Sequence, residues 1–414
     1  MAKILPFKGF LPPASLAELV SSPPYDTLSS DEARSRTKNN NKSFLRVIKP
    51  EVDFKIGTEP SGSKLHEHAA TNLSNYISNG NLIEDKDQCL YIYQISMGAH
   101  VQTGIIAAVS VEEYDSGIIK KHEYTRPEKE DDRTMHIQVT KANTGPVFLT
   151  FRNDGSFNNQ ISGVINRDRD ISFEADDGTL HSIWRIKDSN TINKISAYFK
   201  RVRSLYIADG HHRSASSALY CNRKRKQLTN IKGSEPFNYF MSFMIDDEQM
   251  RIYDFNRLVK DLNGWSIDEY LLKVSEVYNI GKNVNHKPIQ KDEIYMYLDG
   301  NWYSLIAKAH TYDASHCVDH LDPAILSKNI LDPILGIKDI RNNQRIDFMD
   351  GKQGLTSLKN AVDSGDYRVA FALKPITIEQ LKKVADQNQV MPPKSTYIQP
   401  KLRSGLTIYS LDDE

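Results

Sequence analysis

The chain has 414 residues, too many for one ordinary domain, so two or three units that each bury a core are expected. Its 53 basic and 53 acidic side chains cancel, which removes the bulk electrostatic case for a nucleic-acid or membrane-surface protein. The three cysteines, Cys89, Cys221 and Cys317, lie far apart with no CxxC pair, so neither a disulfide framework nor a zinc knuckle is expected and a reducing cytoplasm fits. No apolar run approaches the roughly 20 residues of a membrane span, and the N-terminus lacks a secretory h-region.

Residues 1–85 are polar and rich in turns, with "SSPPYD" and Asn39-Asn40-Asn41 as loops. "HEHAATNLSNYISNG" predicts a helix from His66 to a stop at Gly80. "CLYIYQISM" and "QTGIIAAVSV" predict two paired strands, followed by strands in "GPVFLTF", "HSIWRI" and "SLYIAD". "FNYFMSFMID" and "QMRIYDFNRLV" extend the sheet-like pattern. "GWSIDEYLLKVSEVYNI" carries a Ser-x-x-Glu start and a 3.6-residue period, and predicts a capped helix. Strands in "DEIYMYLDGNWYSLIAK" and "YRVAFALK", a helix in "TIEQLKKVADQNQ" and a strand in "GLTIYSL" complete a mixed α/β chain. Boundaries are expected near 115 and 255.

Three stretches hold chemistry. In "YIADGHHRSASSAL" a strand turns into a helix at Asp209-Gly210, and the first turn holds His211, His212, Arg213 and Ser214. A helix N-terminus has unpaired N–H groups and a positive dipole end, and arginine adds a planar, permanently charged fork. A phosphate-binding turn is the natural reading. The rivals are Asp209 as a simple helix cap, chelation by the two histidines, and a two-metal phosphohydrolase. Adjacent histidines on a helix point about 100° apart, which makes joint chelation poor, so no metal ligand is expected here. A two-metal centre would want further aspartates at strand ends, and no convincing set of them is present.

"KKHEYTRPEKEDDRTMHI", from Lys120, crowds carboxylates among Lys, Arg and His. It is either a solvated loop or the inventory of a general base with phosphate-neutralising cations. "MPPKSTYIQPKLRSGL", from Met391, offers Lys394, Ser395 and Thr396 after a stiff Pro-Pro, although spacing alone favours an ordinary Pro-led turn. "NRKRKQL" puts basic residues where a helix C-terminus favours them. His310, His316 and His320 do not make a convincing ligand set with Cys317, and the Tyr239, Met241 and Met244 side chains belong to a core.

"DGHHR" after a strand, a "K-x-HE" segment upstream and "PPKST" near the C-terminus together resemble the free serine kinase family (SerK-like proteins), built on the ParB/sulfiredoxin fold. The layout of "SSPPYD", "TRPEKEDDRT", "TGPVFLT", "ADDGTLHSIWR" and "RSGL" resembles long bacterial members of that family, formerly of unknown function. The resemblance implies a ParB/sulfiredoxin-like kinase core over 116–254, an N-terminal α/β extension over 1–115 and a C-terminal α/β domain over 255–414 that completes the cleft. It implies phosphoryl transfer from ATP or ADP, with Mg²⁺, to the hydroxyl of free L-serine, with ATP favoured by the long form. It assigns Glu123 as base, with Asp209 and His211 beside it. Gly210, His212, Arg213 and Ser214 fall on the nucleotide phosphates, and Lys394, Ser395, Thr396 and Arg126 on the substrate. The competing expectation is a ParB-type nucleotide-binding switch associated with DNA. The neutral charge and the lack of a clear helix-turn-helix weigh against it, so no nucleic-acid partner is expected.

Overall fold

The computed structural model describes residues 1–60, 62–282 and 293–412. The chain forms two compact units, Met1–Met250 with Pro400–Glu414, and Arg251–Gln399. The fold is mixed α/β, with helices packed on predominantly antiparallel sheets. Of the expected dividing lines, the one near 255 falls close to the junction of the units, and the one near 115 lies inside the first unit.

In the first unit, helix α1 spans Ser63–Ser78, and strands β1 (Leu90–Met97) and β2 (His100–Ser110) follow as an antiparallel pair. Next come β3 (Ile119–Lys120), α2 (Pro127–Thr140), β4 (Val147–Phe151), β5 (Ile171–Glu174) and β6 (Leu180–Ile186). Strand β7 (Leu205–Asp209) leads directly into α3 (His211–Gln227), and β8 (Tyr239–Asp246) closes the set. The sheet runs β3-β7-β4-β8-β2-β1-β6-β5, with Ile4–Leu5 pairing on β2. β7 lies parallel to β3, and β8 parallel to β4. Every residue of β4 and β8 is buried, which explains why both read as continuous apolar runs rather than alternating ones. β1 and β2 are interior strands of this sheet, so residues before 115 build its centre as well as its flank.

The stretch from Lys120 divides. His122–Thr125 stays irregular, but Pro127 starts α2 at a position where its missing N–H costs nothing. Thr134, His136 and Ile137 give α2 a buried face, so the charge run is the outer side of a packed helix rather than a loop. Small residues in α3 let α2 come close. Ser216 Oγ donates to the Glu130 carbonyl (3.0 Å), and Ala215 and Ala218 are buried. α1 also packs against α2.

The chain ends meet in a four-stranded sheet of Ile83–Glu84, Gly9–Leu11, Ile408–Ser410 and Ala142–Asn143. Beneath it lies a separate core that includes Val20, Phe44, Leu45, Ile48, Leu73 and Tyr76. Ser22 and Ser404 exchange backbone hydrogen bonds (3.0 and 2.8 Å), which fixes the "RSGL" segment against the "SSPPYD" loop.

In the second unit, β9 (Phe255–Val259), α4 (Ile267–Val277), β10 (Tyr278–Lys282), β11 (Glu293–Leu298), β12 (Asn301–Ala307), β13 (Ile346–Asp350), α5 (Gly354–Asp363), β14 (Val369–Ala372) and α6 (Ile378–Asp386) follow in order. They make an antiparallel sheet ordered β10-β12-β11-β14-β9-β13. Asp292, the first residue of the expected β11 stretch, lies outside the described residues. Ser266 and Glu269 form the capping box that the sequence pattern predicts, and Thr377 with Gln380 forms a second.

Gly405 has φ +83°, and a Cβ there would stand 2.7 Å from Cβ of Phe44. Gly405→Ala therefore combines left-handed strain with overlap in a core, and is expected to cost about 2–4 kcal/mol. A urea midpoint shift of that size with an unchanged slope is the expected result; an unchanged midpoint contradicts it.

Candidate functional site

Strand β7 carries an irregularity: Ile207 faces Leu149 and Asp209 faces Phe148, so the register slips between them. A bulge at the end of a strand re-aims the next side chain, and here it re-aims Asp209. Asp209 Oδ1 accepts from Lys401 Nζ (3.0 Å) and Oδ2 from Arg213 Nη2 (3.0 Å). Burial alone would raise the Asp209 pKa, but Lys401 and then Arg213 hold it well below the usual carboxylate range. A quarter of its side-chain surface remains exposed, so the triad reaches solvent.

Gly210, at φ +97°, is the N-cap of α3, and no side chain caps it. Asp209 is therefore not a helix cap: it is the last residue of the strand, and its oxygens go to cations. The first N–H groups of α3 have no intrahelical acceptors and lie beside this turn. The left-handed φ favours glycine at 210, and a Cβ there would crowd Arg213 Nε at 3.1 Å, where the guanidinium folds back over the turn. Arg213 Nη1 donates to the Pro146 carbonyl, while Arg213 Nε is buried without a hydrogen-bond partner.

The first turn of α3 sends its side chains three ways, as a 100° step requires. His211 meets His122, their ring centroids 4.5 Å apart and nearly perpendicular. A nitrogen of each ring and a carboxylate oxygen of Glu123 all lie within 4.8 Å of one another. The imidazole that meets His211 is thus not its neighbour His212 but His122, from the segment that follows β3. Burial pushes the His122 pKa down to about 4, and burial followed by the charge of His122 pushes His211 well below its ordinary value. Both rings are neutral at pH 7.

His212 points elsewhere, toward Arg126 at the start of α2 and toward Asp26. Burial and then Arg126 lower its pKa. Ser214 is buried, and its hydroxyl donates to the His211 carbonyl (3.0 Å), inside the helix. Arg213 and Ser217 line a narrow cleft with Tyr25, Arg133, His136, Asn143 and Ser404. Arg133 sits over the Tyr25 ring at 4.4 Å, and burial, followed by Asp26, pushes the Tyr25 hydroxyl up to about 12. His136 Nε2 lies 3.0 Å from the Val47 carbonyl.

Lys394, Ser395 and Thr396 belong to the second unit. Lys394 has φ +57°, its ammonium lies 5.3 Å from the Phe255 ring centre, and its carbonyl accepts from Arg257 Nη2 (3.1 Å). Ser395 Oγ donates to the Pro392 carbonyl (2.6 Å). The C-terminal cation beside Asp209 is Lys401, which the motif reading passed over. It also assigned no role to Tyr25, Arg133, His136, Asn143 or Ser404. A signal existed for Tyr25 and Ser404, since they lie in the quoted "SSPPYD" and "RSGL", but nothing in the sequence pattern says that the two segments meet.

A family model described as "Protein of unknown function (DUF1015)" matches residues 4–324. The chain belongs to that family. No curated protein matches it. Solved structures similar to it include a free serine kinase in complex with AMP, at 10% identity over 71% of this chain and 86% of that one, TM-score 0.36. Another is SbnI with C-terminal truncation from Staphylococcus aureus, at 11% identity over 72% and 85%, TM-score 0.39. A conserved hypothetical protein from Pyrococcus furiosus gives 12% identity over 71% and 90%, TM-score 0.34.

The residues present fit a nucleotide's phosphates: an uncapped helix start, a glycine at the turn, and an arginine with an orphaned buried N–H. They do not fit Mg²⁺ as a protein-held ion. Mg²⁺ wants oxygen ligands in an octahedron, whereas this cluster offers two imidazoles and one carboxylate, and both Asp209 oxygens are engaged by cations. Among the described residues no helix is long and apolar enough to cross a membrane.

Buried neutral histidines set a pH limit. His122, at about 4, and His136 and His181, both at about 3, lie below the ordinary 6.5. The unfolded chain binds more protons on these rings in that interval, so their contribution to stability is full above about pH 6.5 and falls as the pH drops toward 4 and then 3. Each ring contributes a slope of up to about 1.4 kcal/mol per pH unit. Urea titrations at stepped pH should show that decline, with a shallower slope in His136→Gln; a flat profile contradicts the neutral-ring assignment.

Proposed function

We propose that this site transfers a phosphoryl group from a nucleotide, ATP more readily than ADP, to the hydroxyl of free L-serine, giving O-phospho-L-serine. The observation that carries the reading is the placement of Glu123 beside His211, at the start of a helix whose N-terminus and Arg213 suit phosphate. A serine hydroxyl needs a positioned acceptor for its proton as the phosphoryl group moves, and a spread of negative charge needs preorganised donors.

The parts take these roles. The free N–H groups of α3 and Arg213 hold the donor phosphates. Asp209 keeps Arg213 in place and holds a second cation, Lys401, at the same turn. The serine oxygen forms its bond to phosphorus as the bond from phosphorus to the nucleotide's leaving oxygen breaks. The hydroxyl proton passes to the Glu123 carboxylate, and the shortened nucleotide departs with the negative charge. His211, neutral and adjacent to Glu123, orients that carboxylate. His212 with Arg126 offers a second polar face, and the cleft between Tyr25, Arg133 and Ser404 suits the amino acid's carboxylate. Cytoplasmic residence accords with three unpaired, buried cysteines.

The test is direct. Purified protein is incubated with L-serine, Mg²⁺ and either ATP or ADP, and phosphoserine is measured. Product with one of the two nucleotides is expected. Glu123→Gln should reduce turnover by about 10²–10⁴-fold while nucleotide affinity stays near that of the unmodified protein. No phosphoserine from either donor contradicts the reaction, and near-normal turnover of Glu123→Gln contradicts the assignment of the base.

A further inference from the structure

The cluster of His122, Glu123 and His211 has properties that proton transfer does not require. A base needs one carboxylate; here two neutral imidazoles from separate segments converge on it. His122 is about 1% exposed, and neither of its ring nitrogens makes a hydrogen bond of normal geometry, although the Ile207 backbone lies nearby. His211 is also buried, and its Nε2 has only a long contact, 3.5 Å, with the His122 backbone N–H. Buried polar atoms are nearly always satisfied, and an imidazole left with open nitrogens inside a protein calls for a partner.

The donor types identify the partner's class. A hydrogen-bond network would pair the imidazoles with carbonyls or hydroxyls, as His136 pairs with the Val47 carbonyl and His181 with Tyr93 and Thr179. Two imidazoles and one carboxylate oxygen within 4.8 Å of each other are instead the ligand set of a transition-metal cation, with further positions left for water or substrate.

We propose that His122, Glu123 and His211 bind one divalent transition-metal cation of the zinc, iron(II), manganese or cobalt class. Two imidazole nitrogens and one Glu123 oxygen are the protein ligands. The site is distinct in chemistry from a Mg²⁺ ion carried by nucleotide phosphates. It stands whether or not the protein phosphorylates serine, because its ligands are assigned from geometry alone.

The probe is Co²⁺, added to chelator-treated full-length protein without nucleotide or serine, and followed by its visible absorption and by calorimetry. One equivalent of Co²⁺ is expected to bind with intensified visible bands, to be displaced by Zn²⁺, and to persist in excess Mg²⁺. His122→Ala and His211→Ala should lose the bands. Because those rings are buried and either variant can misfold, Glu123→Gln, which keeps both rings, is the second test. It should weaken Co²⁺ binding at least about tenfold while circular dichroism stays unchanged. Absent binding to the unmodified protein, equal affinity in folded Glu123→Gln, or displacement by Mg²⁺ would each overturn the proposal. Phosphoserine formation is measured separately, so failure of the metal site and failure of the kinase reading are told apart.

Discussion

The carboxylate of Asp209 is the point on which the arrangement at the start of α3 depends. Strand β7 delivers it to a partly desolvated position where an uncompensated charge would be expensive. Its two oxygens instead meet two cations from opposite parts of the sequence, Arg213 one helical turn on and Lys401 near the C-terminus. The pairing returns much of the desolvation cost, and removal of either cation would leave a half-paired acid beside the start of α3. The arrangement also explains why residues 400–414 are part of the first unit. Lys401 neutralises the turn, Ser404 is bonded across to Ser22, and Ile408–Ser410 is inserted between Gly9–Leu11 and Ala142–Asn143.

With that triad fixed, the first turn of α3 becomes a distributor. One turn of helix offers three successive side chains to three different environments: the imidazole and carboxylate cluster at His211, the start of α2 at His212, and the cleft around Tyr25 and Ser404 at Arg213. The small residues that follow, Ser214 to Ala218, serve packing. They bring α2 close enough for Ser216 to bond its backbone, which in turn sets Arg133 and His136 along the cleft. Local helix geometry therefore supplies separation of roles, and helix packing supplies proximity.

Much of the architecture was legible because it rests on local signals. The helix expected from His66 to Gly80 is α1, and the apolar runs around Tyr93, Ile106, Phe148, Ile183 and Phe243 are strands. The Ser-x-x-Glu pattern at Ser266 forms the expected box. The charge run after Lys120 was ambiguous because its buried positions, Thr134, His136 and Ile137, fall late in the segment and include polar residues. At the site, the turn from Asp209 to Arg213 was readable, since strand, glycine and helix follow one another in sequence. The partners that complete it were not. His122, Lys401 and Ser404 reach the turn through sheet register and through the return of the C-terminal segment, and neither leaves a periodic trace. Lys394 stood out by its motif, yet Lys401, with no motif of its own, is the residue that neutralises Asp209.

The central claim is that the start of α3 is where phosphate binds. A crystal structure of the protein with a non-hydrolysable nucleotide tests it most directly. The account predicts nucleotide phosphate oxygens within hydrogen-bond distance of the first backbone N–H groups of α3 and of the Arg213 guanidinium, with the Asp209–Lys401 pair retained. Phosphates bound elsewhere, with this turn left empty, would contradict it.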